Sequence, residues 1–219
     1  TIQSGSELKV YGDITNDGLS NMGEGKLIFS GANQYINGAF SIGYVTINVG
    51  SNLTLSANNN EISGVLLCNG VLNTNNNLTL LSTPSATALV SGNSSGVING
   101  ALTQQRFVSA AKAKGYKHFA TAFKNTKVGD FSNFMTLYLG NQSSTPFPTL
   151  FKFSEAAAVS SFGAGWIQAA AQGQTNTPVD IGLGYTAQFG SGTGNDVNAY
   201  FTGLVNSGDI SVNLTLLNP

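Results

Sequence analysis

Val45-Thr46-Ile47-Asn48-Val49-Gly50-Ser51-Asn52-Leu53-Thr54-Leu55 carries the pattern that decides the fold. Two short runs with apolar residues at alternate positions, Val45/Ile47/Val49 and Leu53/Leu55, flank a Gly-Ser-Asn corner. Alternation with a period of two marks strands. Gly, Ser and Asn turn the chain, by tolerating positive φ or by closing Asx turns. The pattern continues on both sides. Apolar pairs recur at Leu8/Val10, Leu27/Phe29 and Val65/Leu67, so that successive sets lie 19, 18 and 20 residues apart. A second series, Ile14, Ile36, Leu53/Leu55 and Leu72, follows at less even offsets. Between them stand the turn signals Asn16-Asp17-Gly18, Gly31-Ala32-Asn33, Asn37-Gly38, Asn58-Asn59-Asn60, Asn69-Gly70 and Asn75-Asn76-Asn77.

Short strands at a fixed period with Gly/Asn corners predict a β-solenoid, parallel β-helix-like, in which stacked coils bury the inward Val, Ile and Leu and pair each strand with the next. A meander of hairpins competes, because Asn37-Gly38 and Asn69-Gly70 are strong hairpin turns. The triple-Asn runs favour the solenoid, since Asn side chains can stack as ladders at its corners. Thr83 to Ser95 reads as the last coil. Gly96 to Phe119, through Gln105-Arg106-Phe107 and Tyr116-Lys117-His118-Phe119, reads as a seam beyond which the period vanishes. The expected organisation is therefore all-β: a solenoid over 1–95, then a β-sandwich or jelly-roll-like domain over 96–219. Thr149 to Phe153, Gly184 to Phe189 and Ile210 to Leu216 alternate as strands. Glu155 to Ser160 and Gln168 to Gln172 carry about one helical turn each.

Charged residues make up only 9% of the chain, against about 25% in ordinary soluble domains. Asn, Ser, Thr, Gln and Gly must supply the wettable surface, a composition suited to extracellular β-proteins. A net charge of −1 argues against general attraction to nucleic acid or anionic membrane. Apolar runs fall far short of the roughly 20 residues of a membrane-spanning helix, and no secretory signal composition is present. The single Cys68 excludes an internal disulfide and reads as a small buried hydrophobe.

Several further stretches, Pro84-Ser85-Ala86-Thr87-Ala88-Leu89-Val90-Ser91-Gly92, Val97-Ile98-Asn99-Gly100, Phe151-Lys152-Phe153-Ser154-Glu155, Gly165-Trp166-Ile167 and Gly182-Leu183-Gly184-Tyr185, stand with Gln105-Arg106-Phe107 and Tyr116 to Phe119 in an order that resembles very large surface proteins of Bacteroidota, many exported by type IX secretion. The resemblance implies a non-enzymatic, extracellular, adhesin-like or fibre-like module with no catalytic residues to carry over. It also implies a further strand beyond Leu217, cut away or supplied by a neighbouring subunit.

Candidate sites are few. Arg106, Lys112, Lys114, Lys117, Lys124 and Lys127 form a basic run with aromatic interleaving, able to meet acidic polysaccharide or nucleic acid, or simply to solubilise an edge strand. His118, alone, is expected to be structural or exposed. Trp166, Tyr185 and Tyr200 are candidates for a sugar-stacking platform, with Trp166 as a core residue the alternative. Gly190 to Asp196 lacks the Lys-Ser/Thr of a phosphate loop; Asn195, Asp196 and Asn198 are weak Ca²⁺ candidates, and no other cofactor or metal is expected. In the solenoid half, Glu7, Asp13, Asp17, Glu24 and Glu61 offer no evident carboxylate pair for sugar hydrolysis. The matches to N-glycosylation acceptors follow from composition. The expected function is thus a non-catalytic structural or adhesive module of a secreted or cell-surface protein, with fibre formation by strand addition as a corollary. Its expected partners are its own copies, neighbouring modules of a larger surface protein, or polysaccharide; a carbohydrate-binding module is the alternative.

Overall fold

A computed structural model describes residues 1–16, 20–56, 59–113, 115–158, 161–189, 195–206 and 209–212. The chain is all-β, with an N-terminal β-solenoid and a later antiparallel sheet. It divides into two compact units, one of Thr1–Phe107 with Tyr200–Val205, the other of Val108–Ala199 with Asn206–Pro219.

The first unit holds β1 (Glu7–Val10), β2 (Ile14–Thr15), β3 (Ser20–Phe29), β4 (Gln34–Asn37), β5 (Phe40–Ile47), β6 (Asn52–Leu55), β7 (Asn60–Ile62), β8 (Val65–Cys68), β9 (Val71–Asn73), β10 (Leu78–Leu80), β11 (Leu89–Val90), β12 (Val97–Asn99) and β13 (Leu102–Val108). Each coil crosses three faces and every coil-to-coil pairing is parallel. One face stacks Leu8, Leu27, Val45, Leu66 and Val90. A second stacks Ile14, Ile36 and Leu55, and beside them Leu53, Leu72 and Ile98. The third stacks Asn60, Leu78 and Leu102 inward, with Ser41, Glu61, Thr79 and Thr103 in the next row. The inward rows are the core: Leu27, Phe29, Ile36, Ile47 and Leu66 are fully buried. Each such side chain contributes about 1.5–3 kcal/mol by leaving water.

The corners favour the solenoid over the meander. Gly38 adopts φ +114°, and a Cβ there would fall 1.9 Å from the Asn16 carbonyl oxygen of the coil below. Asn37-Gly38 therefore turns the chain at a point of close coil-to-coil approach that only glycine permits. The expected Asn ladder also exists: Asn99 Nδ2 donates to Asn73 Oδ1 (3.0 Å), Asn73 Nδ2 to Asn52 Oδ1 (2.8 Å), and Asn52 Nδ2 to Asn33 Oδ1 (3.3 Å). It runs through single asparagines rather than the triple runs. Asn75 and Asn76 instead take positive φ, and their side chains bind the Leu55 carbonyl and the Ala101 N–H. At Gln34, an inward amide replaces a leucine of the neighbouring coil. It is fully used, accepting from Gly31 N and donating to the carbonyls of Val10 and Gly12.

Three readings of the sequence are corrected. In β8 the inward residues are Leu66 and Cys68, with Val65 and Leu67 half-buried. Ser41 and Ile42 pair with Glu61 and Ile62, whereas Val45 pairs with Leu66. Coil 4 thus has one residue more than coil 3 at this corner, and the inward positions of β8 shift by one. Val49, counted with the apolar row, is 80% exposed at a turn. The seam also moves. Gly96 N donates to Cys68 O, and β12 pairs with β9 and β13 with β10. Gly96–Phe107 therefore completes a fifth coil begun at β11, and the boundary falls after Phe107 instead of after 95. Tyr200–Val205 lie beside β13, with Thr202 and Thr103 hydroxyls 2.7 Å apart.

The second unit begins with α1 (Ala110–Ala113) and continues with β14 (Lys117–Phe119), β15 (Phe123–Lys124), β16 (Leu150–Phe153), β17 (Trp166–Gln168), β18 (Tyr185–Ala187) and the start of β19 (Val197–Val205). Its antiparallel sheet has the order β14-β18-β16-β17. An aromatic core packs on it: Phe119 lies 5.0 Å from Phe131, 5.7 Å from Tyr185 and 6.1 Å from Phe189, centroid to centroid. The strands expected at Thr149–Phe153 and Gly184–Phe189 are β16 and β18. Gln168–Gln172, expected as a helical turn, is the end of β17 and a turn. Asp209–Val212 carry no strand pairing, and the rest of the strand expected there lies outside the described residues.

Candidate functional site

One concavity of the second unit is built around Trp166. A 3₁₀ turn, Phe162–Gly165, leads into it, with the Ser161 hydroxyl accepting the Ala164 N–H. Gly165 carries no side chain, and a Cβ there would lie 2.5 Å from the Phe153 ring. That bare position lets Phe153 pack against the turn. In register, Phe153 lies opposite Trp166 across β16 and β17. Three rings then meet as a corner: Phe153–Trp166 at 5.0 Å and 68°, Phe153–Phe162 at 5.3 Å, and Phe162–Trp166 at 6.1 Å and 85°. The T-shaped angles are those the ring quadrupoles favour. From the opposite edge strand, β14, His118 reaches over the two central strands. It stacks on Trp166 at 5.1 Å and 12°.

These rings wall a cleft of about 650 Å³, where His118, Lys152, Ser154 and Glu155 are among the polar lining residues. Phe162, 70% exposed, is its outermost ring. On the far side of Trp166 a second hollow of about 550 Å³ contains Gln142, whose Nε2 donates to the Trp166 carbonyl at 3.1 Å. That bond occupies part of the outer edge of β17.

The residues singled out from the sequence fare differently. Trp166 is half-buried and lines the cleft. Tyr185 is 1% exposed, its hydroxyl accepting the Asp180 N–H at 3.0 Å, and burial raises its pKa. It belongs to the core and cannot serve as a stacking platform. Tyr200 belongs to the solenoid unit. The basic run is likewise divided: Arg106 is exposed on β13 of the solenoid unit, its Nη1 3.5 Å from Thr87 Oγ1, while Lys117, Lys124 and Lys127 lie in the second unit. Lys114 and the side chain of Lys112 lie outside the described residues.

Asp196, a Ca²⁺ candidate, uses Oδ1 to accept the Ala110 N–H at 2.6 Å, capping the start of α1. Asn195 and Asn198 are exposed, and Gly190–Gly194 lie outside the described residues. Among the described residues, no three His, Cys, Asp or Glu side chains converge. In the solenoid, Glu7 pairs with Lys26, and Asp13 Oδ1 accepts the Tyr35 N–H at 2.8 Å, so both carboxylates hold backbone or neighbour in place. Asp17 lies outside the described residues. Cys68 is buried, and desolvation pushes its thiol up to about 11. A thiol so placed is nearly all protonated at neutral pH and a poor nucleophile.

Sequence reasoning had named Trp166 and His118 separately and missed their contact, as it missed Phe153 and Phe162 as cleft walls. The short runs Lys152-Phe153-Ser154-Glu155 and Phe162-Gly163-Ala164-Gly165-Trp166, each mixing rings with small or polar residues, were the available signal. Comparison of the chain with models of known families, with curated proteins and with solved structures finds no match. The chain belongs to a class of architecture: a parallel β-solenoid followed by a β-domain bearing an aromatic cleft.

Proposed function

We propose that this chain is a non-catalytic structural and adhesive module of a secreted or cell-surface bacterial protein. The observation that carries the reading is the Asn33–Asn52–Asn73–Asn99 ladder laid over stacked apolar rows. Polar side chains that elsewhere do chemistry are here committed to holding coil on coil. Backbone ladders and rows of buried Leu, Ile and Phe give the solenoid unit stiffness. Outward Asn, Ser and Thr give a nearly uncharged skin with many hydrogen-bonding groups. The resemblance to type IX-secreted surface proteins supports the extracellular placement.

The partners in this reading are neighbouring modules or further copies, and polysaccharide at the surface. Assembly by strand addition would use the outer edge of β14, which pairs with β18 on its inner side; added strands gain main-chain hydrogen bonds there.

The test is made on the organism that produces the chain. Antibody to the purified chain is expected to label intact cells, and deletion of the gene is expected to lower cell attachment without changing growth. Label appearing only after lysis, or unchanged attachment of labelled wild-type and deletion strains, overturns the reading.

A further inference from the structure

We propose that the cleft walled by Trp166, Phe153 and Phe162 is a binding site for a pyranose residue of an uncharged polysaccharide. This goes beyond a structural role, since it assigns one ligand class to one place.

The walls argue for it first. A pyranose presents a flat face of C–H groups and a rim of hydroxyls, and needs an apolar ring surface beside hydrogen-bonding groups. Phe162 is 70% exposed, an unusual state for a ring that could pack inward. It stands at the cleft's mouth, edge-on to Trp166. Phe153 and Trp166 extend the same apolar wall inward. The volume, about 650 Å³, falls inside the roughly 300–1,000 Å³ typical of small-molecule sites, with room for more than one sugar ring.

The polar groups argue for the charge class. Lys152, Ser154 and Glu155 come from one short segment at the end of β16 and the turn after it. They offer an ammonium donor, a hydroxyl and a carboxylate acceptor, the mixture that sugar hydroxyls accept and donate to. The opposite charges of Lys152 and Glu155 offset each other. An acidic polymer or a nucleic-acid strand would meet Glu155 as well as Lys152, and single-strand binders use grooves of one sign. His118, stacked flat on Trp166, holds the indole in position from the far edge of the sheet.

The chain's single tryptophan is the one in the cleft, so its emission reports on this site alone. The full chain is titrated with neutral hexasaccharides (cellohexaose, laminarihexaose, xylohexaose and mannohexaose), with polygalacturonate and a single-stranded oligonucleotide alongside. At least one neutral hexamer is expected to shift Trp166 emission saturably. Phe162→Ala removes an exposed ring, so its melting temperature should hold while its Kd for that hexamer rises about tenfold or more. Glu155→Gln, a second variant that keeps the shape, is expected to weaken the same hexamer without creating affinity for polygalacturonate. The proposal is overturned if no neutral hexamer moves the emission up to about 10 mM, weaker than any useful site. It is also overturned if both variants bind the hexamer as the parent does, or if polygalacturonate or the oligonucleotide binds more tightly than every neutral sugar.

Discussion

Neighbouring leucines in β8 offer the sharpest test of the coil register. Leu66 is fully buried, stacked between Val45 of the coil below and Val90 of the coil above. Leu67, next in sequence, points outward beside Thr46. Truncating a buried leucine to alanine loses its transfer free energy and leaves a cavity, about 3 kcal/mol and up to about 5. Truncating a half-exposed one costs below about 1 kcal/mol. With an unfolding entropy of about 2.1 cal/mol/K per residue, a unit of this size shifts by roughly 4 °C per kcal/mol. Leu66→Ala should therefore lower the solenoid's melting point by about 12 °C, and Leu67→Ala by no more than about 4 °C. Coil 4 is flanked on both sides, so fraying from an end cannot mask the difference. Because Trp166 lies in the other unit, far-UV circular dichroism is the probe, with urea titration to confirm an unchanged m-value. Equal losses for the two variants, or a larger loss at Leu67, would refute the inserted residue at the Ser63-Gly64 corner and restore the uninterrupted period.

Two further outcomes bear on the same unit. Gly38→Ala meets both a φ of +114° and the Asn16 carbonyl at 1.9 Å, whereas Gly50→Ala, at φ +79° with open space around it, meets only the first; the expected losses are about 2–4 and about 1 kcal/mol, measured by urea titration. Burial raises the Cys68 thiol from 9.0 to about 11, so the folded state holds the proton that the unfolded chain releases. That contribution is complete below pH 9 and declines as pH rises toward 11, with a slope of at most about 1.4 kcal/mol per pH unit. Cys68→Ala should accordingly lose less stability than the parent between pH 8 and pH 10.5, by about 2 kcal/mol, and native parent protein should resist thiol reagents until unfolded; parallel pH curves, or fast labelling of the native state, would contradict it.

The solenoid was legible because its evidence is repeated. Any coil taken alone is ambiguous between a rung and a hairpin, and Asn37-Gly38 is a better hairpin turn than most. Five copies of the same inward row, each obliged to bury its leucines, leave parallel stacking as the common solution. What repetition cannot show is an insertion of one residue. The strands Val65-Leu66-Leu67-Cys68 are apolar at every position, so alternation gives no parity there, and the spacing from Val45 favoured the wrong frame. Only the backbone pairing fixes it, with Glu61 and Ile62 on Ser41 and Ile42 but Leu66 on Val45. The seam was misplaced for a related reason. Coil 5 is drawn out, with Leu78 to Leu102 spanning 24 residues against 18 from Asn60 to Leu78, and a stretched period resembles an ended one.

In the second unit the physics of legibility is different. Its strands are two to four residues long apart from β19, too short for a period to emerge, and its stability rests on aromatic contacts among residues distant in sequence. His118 and Trp166 meet across four strands because sheet order, β14-β18-β16-β17, places them at opposite edges of one small sheet. Nothing local in either residue's neighbourhood encodes that order. Tyr185 and Trp166 make the same point from opposite sides. Both are aromatics next to glycine in strands, yet Tyr185 sits in a central strand, facing Phe119, and is sealed. Trp166 sits in an edge strand where a glycine turn opens a cleft. Whether a ring becomes core or surface is thus decided by its strand's rank in the sheet, a tertiary quantity. A cleft assembled at an edge strand can then be reshaped by changes in the flanking turns, Phe162–Gly165 and Ser154–Ala157, without disturbing Phe119, Phe131 or Tyr185.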